Sequence, residues 1–169
     1  MKPSGFSHET TGVTSIEWYT PPWIFQALGL EFDLDPAAPE GGLDWIPARK
    51  FYDKSADGLA QDWQGLVWCN PPYSKHTQAW MRKMRDHGNG VALVFSRTDC
   101  QWYHDSVATA DAILYLKGRV RFVDAKGDPG KSSPGAGSLL AAWGRDGVAA
   151  LKRMSEYGHL ILKEVNYRA

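Results

Sequence analysis

The sequence predicts an α/β domain with a largely parallel sheet flanked by helices, and three observations predict it. Two apolar runs of strand length, Leu66 to Cys69 and Val91 to Phe95, are continuous rather than alternating, as in strands covered on both faces. Segments of helical period at 20–29, 74–87 and 145–154 separate the strand-like runs. Strands that alternate with helices in this way build parallel sheets with helical crossovers. The 169 residues fit one domain with a real core, and 43% hydrophobic with 22% charged residues is ordinary for a globular chain.

In chain order, residues 1–15 are polar and rich in Gly, Ser and Thr. They read as a flexible lead-in to a single domain over 16–169, with Ser7, His8 and Thr10 as candidates to order over a ligand. Thr20 suits a helix N-cap, Pro21 the first helical position and Gly29 the stop. Trp23 or Ile24 with Ala27 and Leu28 gives that helix its apolar face. Leu30 to Asp35 alternates as a strand and ends in Asp35-Pro36-Ala37-Ala38, an acid at the strand end where open α/β sheets bind ligands. Residues 43–64 read as loops and short turns.

The next strand stops at Asn70-Pro71-Pro72-Tyr73, because neither proline can donate to a sheet ladder. Ser74 or Thr77 then caps a helix to about His87, with Trp80, Met81 and Met84 inward and Lys83, Arg85 and Asp86 outward. Val91 to Phe95 is a buried strand followed by Ser96-Arg97-Thr98-Asp99, and Trp102 and Tyr103 open another helix. Ala112 to Leu116 is a strand, and Lys117 to Phe122 alternates as an edge strand or hairpin. Residues 124–137 form a loop with four Gly and two Pro, before a strand from Ser138 to Trp143. A helix from Arg145 to Met154 and an edge strand from His159 to Val165 complete the chain.

Charge narrows the function. Nineteen basic and nineteen acidic residues cancel, so any nucleic-acid footprint is local. Within 117–131, Lys117, Arg119, Arg121, Lys126 and Lys131 against Asp124 and Asp128 leave a local charge of +3, suited to phosphate contacts. The structural alternative is a solvated loop in which Arg119 makes internal hydrogen bonds. Arg97, at a strand end, is a further candidate for DNA contact. Two isolated cysteines make no zinc pattern, and no metal is expected. No signal peptide or spanning apolar run appears, so a cytoplasmic protein without a membrane partner is expected. No G-x-G-x-x-G fingerprint is present, and nothing indicates the oligomeric state.

The Asn-Pro-Pro-Tyr turn carries the chemistry. It presents an amide side chain, a carbonyl and an aromatic ring on a stiff backbone, a set suited to gripping a flat base with an exocyclic amine. The lone pair of the adenine N6 amine is delocalised into the ring. Acceptors on its two N–H bonds, the Asn70 amide oxygen and the Pro71 carbonyl, would draw it toward a reactive geometry and stabilise the charge that develops on attack. Tyr73 would stack on a base extruded from the duplex. A sulfonium methyl donor would provide the driving force, leaving the protein to orient the two partners.

Tyr19-Thr20-Pro21-Pro22, Asp33-Leu34-Asp35-Pro36-Ala37-Ala38 and Asn70-Pro71-Pro72-Tyr73 together resemble the amino-methyltransferases of DNA. With Glu17 to Pro21, Asp57-Gly58-Leu59, Trp68 to Tyr73 and Gly118-Arg119 to Phe122, the chain is similar to the phage-type, Dam-like DNA N6-adenine methyltransferases over roughly residues 16–143. The resemblance implies a Rossmann-like class I methyltransferase sheet, S-adenosylmethionine as cofactor and duplex DNA as partner. It implies that Tyr19 contacts the cofactor, that Thr20 and Pro21 lie by its methionine end and that Asp35, Pro36 and Ala37 form the cofactor turn. Either Asp57 or Asp62 would contact the adenosine moiety, and Asn70, Pro71, Pro72 and Tyr73 would form the catalytic pocket. Two departures stand out: the usual glycine-rich loop is reduced to Asp-Pro-Ala-Ala, and only 31 residues separate Ala38 from Asn70. A trimmed sheet is therefore expected. Asn-Pro-Pro-Tyr also occurs in methyltransferases of rRNA bases and of protein glutamine, which present similar N–H pairs, and an inactive DNA-binding relative is a third alternative. Cytosine C5 chemistry is disfavoured, because neither Cys69 nor Cys100 follows a proline.

Overall fold

The computed structural model describes residues 19–130 and 134–163. The expected lead-in, Glu17, Trp18 and Lys131 lie outside them. The elements in order are α1 (Pro22–Leu28), β1 (Phe32–Asp35), β2 (Ala48–Phe51), β3 (Val67–Cys69), α2 (Thr77–His87), β4 (Gly90–Phe95), α3 (Gln101–Asp105), β5 (Ala112–Leu116), β6 (Ser138–Trp143), α4 (Arg145–Arg153) and β7 (Gly158–Leu162). The strands form one seven-stranded sheet in the order β2-β1-β3-β4-β6-β5-β7.

The sheet is mixed rather than largely parallel. Strands β2, β1, β3 and β4 pair in parallel, whereas β6 runs antiparallel to both β4 and β5, and β7 antiparallel to β5. The cause lies in the connections. Parallel neighbours need a crossover, usually helical. The helices α3 and α4 carry the chain from β4 to β5 and from β6 to β7, each pair running in one direction. The described residues between β5 and β6 contain no helix, and there the chain reverses. The strands β1 to β5 thus share one direction, and their carboxyl ends line a single edge.

Two further expectations change. Residues 43–64 contain an edge strand, β2, whose Arg49, Lys50 and Phe51 are exposed, so no buried alternation announced it. Exposed charge also protects an edge from pairing with another chain. The interval from Ala38 to Asn70 holds β2 and β3 and no α-helix, in keeping with shortened connections. Lys117 to Phe122 is not a ladder strand. Val120 and Phe122 are buried and Arg119 and Arg121 exposed, as the alternation requires, but Gly118 turns the chain (φ 78°) before the segment can continue along the sheet. Val123 instead bridges to Tyr19 and Pro129.

Helix caps also differ from expectation. The helix α1 begins at Pro22 with Pro21 in the cap position, because the Thr20 hydroxyl is engaged elsewhere. Its inward residues are Ile24, Phe25 and Leu28, and Gly29 closes it in the left-handed region as expected. The cap residue of α2 is His76, neither Ser74 nor Thr77. The sheet carries apolar clusters on both faces, as its continuous strands predicted. One contains Phe25, Trp68, Leu93, Leu114 and Leu140 under α1 and α4, and the other Val67, Met81, Val94, Ile113 and Leu139 with α2. Among the described residues, no helix is long and apolar enough to cross a membrane.

Candidate active site

The carboxyl edge of the sheet gathers Asp35-Pro36-Ala37, Asn70 to Tyr73 and Ser96-Arg97 from the ends of β1, β3 and β4. Asn70 follows Cys69 at the end of β3, and its side chain lies on the same face as Trp68, beside the start of α1. Its Nδ2 donates to Thr20 Oγ1 at 3.1 Å. Thr20 is itself buried, and its carbonyl accepts from the Trp45 indole at 3.0 Å. The amide is thereby held by its nitrogen. Its Oδ1 is buried and has no hydrogen-bond partner among the described residues, a state rare enough in a folded protein to require a reason.

The prolines set the rest of the turn. Pro71 is buried, and the exposed Pro72 presents its carbonyl to the Thr77 hydroxyl at 3.1 Å, tying the turn to the first residue of α2. The Tyr73 ring stacks on Phe95 with centroids 4.0 Å apart, while its hydroxyl donates to the Leu93 carbonyl at 3.3 Å. Burial of that hydroxyl pushes its pKa up, yet the residue keeps 40% of its surface exposed. Phe122 meets both Tyr73 and Phe95 edge-on, at 6.3 and 6.2 Å. Cys69 faces the opposite cluster, and burial raises its thiol well above the usual value, consistent with a core residue rather than a nucleophile.

At β1, Asp35 is 3% exposed, and its carboxyl accepts from the Ala37 N–H at 3.1 Å. Burial lifts its pKa to about 7, with the Ala37 hydrogen bond pulling the other way. No ion pair to it occurs among the described residues. The sign of the consequence is fixed. An acid whose native pKa exceeds its unfolded value holds its proton longer when folded, so stability falls as pH rises between those two values. The stability of Asp35→Asn relative to wild type is therefore expected to rise by roughly 2 kcal/mol from pH 5 to pH 7, measured by urea unfolding in matched buffers.

The Asp57-Gly58-Leu59 loop packs on this turn. A Cβ at Gly58 would lie 1.9 Å from the Pro36 carbonyl oxygen. Asp57 is exposed and takes a positive φ of 50°, uncommon for a residue other than glycine. Asp62 is also exposed, with its backbone carbonyl accepting from the Tyr52 hydroxyl. Lys83, expected to point outward, is half-buried. Its amine bonds the Leu59 and Gln61 carbonyls and lies 5.3 Å from the centre of the Trp63 ring, so α2 clamps this loop as well.

The basic candidates divide. Arg97, Lys117, Arg121 and Lys126 are exposed, and Arg119 donates to the Pro134 carbonyl. Residues 124–130 are tightly turned, with Asp124 Oδ1 accepting from the N–H groups of Lys126 and Asp128. Tyr19 pairs with Val123 through both backbone groups, which brings this segment against the approach to Thr20. Sequence reasoning assigned no role to Phe95, Trp45, Lys83 or Ser138. Phe95 ends a uniform apolar run, and the others act through contacts 20 or more residues away in sequence, which no local pattern reports. Among the described residues, no group of three or more His, Cys, Asp or Glu side chains could hold a metal ion.

A family model described as DNA N-6-adenine-methyltransferase (Dam) matches residues 8–154, which include β1 to β6 and all four helices. No curated protein and no solved structure matches the chain. Given a family match over most of its length, the chain belongs to the DNA N-6-adenine-methyltransferase (Dam) family.

Proposed function

We propose that the protein transfers a methyl group from S-adenosylmethionine to the N6 amine of adenine in duplex DNA, on a trimmed Rossmann-like methyltransferase sheet, with the base flipped into the Asn70–Tyr73 pocket. The observation that carries this reading is the Asn70 amide: its nitrogen is fixed on Thr20 and its buried oxygen has no partner among the described residues. An acceptor held in that state is matched to an N–H that arrives with a ligand. Asn70 Oδ1 and the Pro71 carbonyl would accept the two hydrogens of N6, and Tyr73 would offer its exposed surface to the base. When bound, S-adenosylmethionine supplies a sulfonium-activated methyl group. As N6 gains the methyl it loses one proton to solvent, so Asn70 holds a hydrogen bond and need not take a proton.

The residues present fit the cofactor's chemistry. Asp35 is a buried acid without a cation among the described residues, and a positively charged ligand would return it to its ionised form. Tyr19, Thr20, Pro21, Asp35, Pro36 and Ala37 would line its methionine side. Of Asp57 and Asp62, Asp57 is assigned to the adenosine moiety, because Gly58 beside it packs directly on Pro36.

Arg97, Lys117, Arg121 and Lys126, with Lys131, would meet the phosphates. Replacing Arg121 by Gln is expected to lower the slope of log K against log salt by about 1 and to weaken binding to all duplexes alike, read by fluorescence anisotropy over a salt series. The function itself is tested by offering methyl-labelled cofactor with duplex DNA, RNA and protein in separate reactions. Label in DNA supports the reading, and label only in RNA or protein defeats it.

A further inference from the structure

Ser138, the first residue of β6, carries a second polar atom that is buried and unpartnered: its hydroxyl has no hydrogen-bond partner among the described residues, and the residue is 1% exposed. Its place in the sheet gives this meaning. Ser138 pairs directly with Phe95 across β4 and β6. Directly paired residues of antiparallel strands project to the same face, and Leu140, two residues on, belongs to the same cluster as Trp68 and Leu93. The Ser138 side chain therefore shares the face of Phe95, whose ring stacks on Tyr73, and of Asn70. Extending the register of β3 and β4 by one residue sets Asn70 beside Leu93. Ser138 then lies two strands across and two residues along, about 12 Å between Cα atoms. Two orphaned polar groups thus flank the Tyr73–Phe95–Phe122 rings on one face and at one edge of the sheet.

We propose that Ser138 recognises the target base, its hydroxyl donating to ring nitrogen N1 of adenine while Asn70 Oδ1 accepts from N6. This rests on the adenine reading above and adds a residue to it. The pairing suits the chemistry. The amine and the neighbouring ring nitrogen of adenine form an adjacent donor and acceptor, and the two orphaned groups provide one acceptor and one hydroxyl able to donate. Guanine presents O6 where adenine has its amine, and that oxygen would face the Asn70 oxygen. A buried hydroxyl that finds its partner only in the complex weakens the free protein slightly and rewards the correct base, the usual source of discrimination at polar sites.

The test is a cycle between protein and substrate. The methylated site is first mapped by sequencing DNA treated with the wild-type protein. Short duplexes are then made with adenine, 1-deazaadenine or 7-deazaadenine at that position, and kcat/KM is measured for wild type and Ser138→Ala. The expected result is a loss of about tenfold for Ser138→Ala on adenine and for wild type on 1-deazaadenine. Combining the two changes should add no more than about twofold, and 7-deazaadenine should leave the effect of the substitution unchanged. The thermal midpoint of Ser138→Ala should equal or exceed that of wild type, since an unpartnered hydroxyl has been removed. Losses that multiply in the combination, or a Ser138→Ala protein as active as wild type on adenine, would overturn the assignment while leaving the methyltransferase reading standing. A wild-type protein that methylates no DNA would remove both.

Discussion

Asn70→Ala is expected to lower kcat by at least about 10²–10³-fold while leaving the affinity for S-adenosylmethionine within about twofold of wild type. The hydrogen-bonding capacity of the amide is divided between protein and ligand: Nδ2 is bound to Thr20, and Oδ1 has no partner among the described residues. Truncation removes the acceptor that would stabilise N6 as charge develops on it, an interaction strongest in the transition state, so the loss falls on kcat. Thr20→Val is the informative companion. It keeps the Asn70 oxygen but frees its nitrogen, so the amide can rotate, and a smaller loss of about tenfold is expected from misorientation. Single-turnover rates with saturating cofactor, alongside calorimetric titration of the cofactor, separate the two effects.

Gly58→Val is expected to destabilise the fold by about 3 kcal/mol and to weaken cofactor binding more than tenfold. The collision is with the Pro36 carbonyl, 1.9 Å from the position of a Cβ, and backbone cannot rotate aside as the end of a side chain would. On the other side lies the Trp80 ring, 3.2 Å from the same position, so the loop cannot retreat toward α2 without moving a buried indole. Either displacement shifts the Asp35-Pro36-Ala37 turn or carries Asp57 away from it. Gly135→Ala is the matched control, since a Cβ there meets nothing within 4 Å, and it should be neutral. Urea unfolding measures the first effect and calorimetric titration of S-adenosylmethionine the second.

The α2 helix joins these two parts of the site. Its first residue, Thr77, holds the Pro72 carbonyl, and Lys83, less than two turns later, holds the Leu59 and Gln61 carbonyls. The turn that would grip the base and the loop that would grip the cofactor thus hang from one element. Its buried residues Trp80, Met81 and Met84 fix it against the sheet.

Much of this was legible in the sequence, for physical reasons that differ by element. Val91 to Phe95 and Ser138 to Trp143 had to be interior strands, because five or six consecutive apolar or small residues suit an interior strand covered on both faces. The stop at Asn70 was equally legible, since two prolines end a ladder. Strand direction was not, because it depends on whether a connection contains a helix, and the segment from 117 to 137 carries alternation that suits a strand. That alternation instead reflects Val120 and Phe122 packing across the sheet edge while Arg119 and Arg121 face solvent. The strand β2 escaped notice because its side chains are almost all exposed and its partner supplies the order. At the site, Asn70 and Asp35 stood out by residue type at strand ends. Ser138 did not, because a serine at the start of a strand is unremarkable until its hydroxyl is found buried and unpaired.

The central claim is that this site methylates adenine at N6, and the nearest chemical competitor is cytosine, whose N4 amine and N3 present the same adjacent donor and acceptor. Nucleoside mass spectrometry of duplex DNA incubated with the wild-type protein and methyl-labelled S-adenosylmethionine tests it most directly. The account predicts label in N6-methyladenine, absent when Asn70→Ala replaces the wild type. Label in N4-methylcytosine, or DNA left without label by a folded protein, would contradict it.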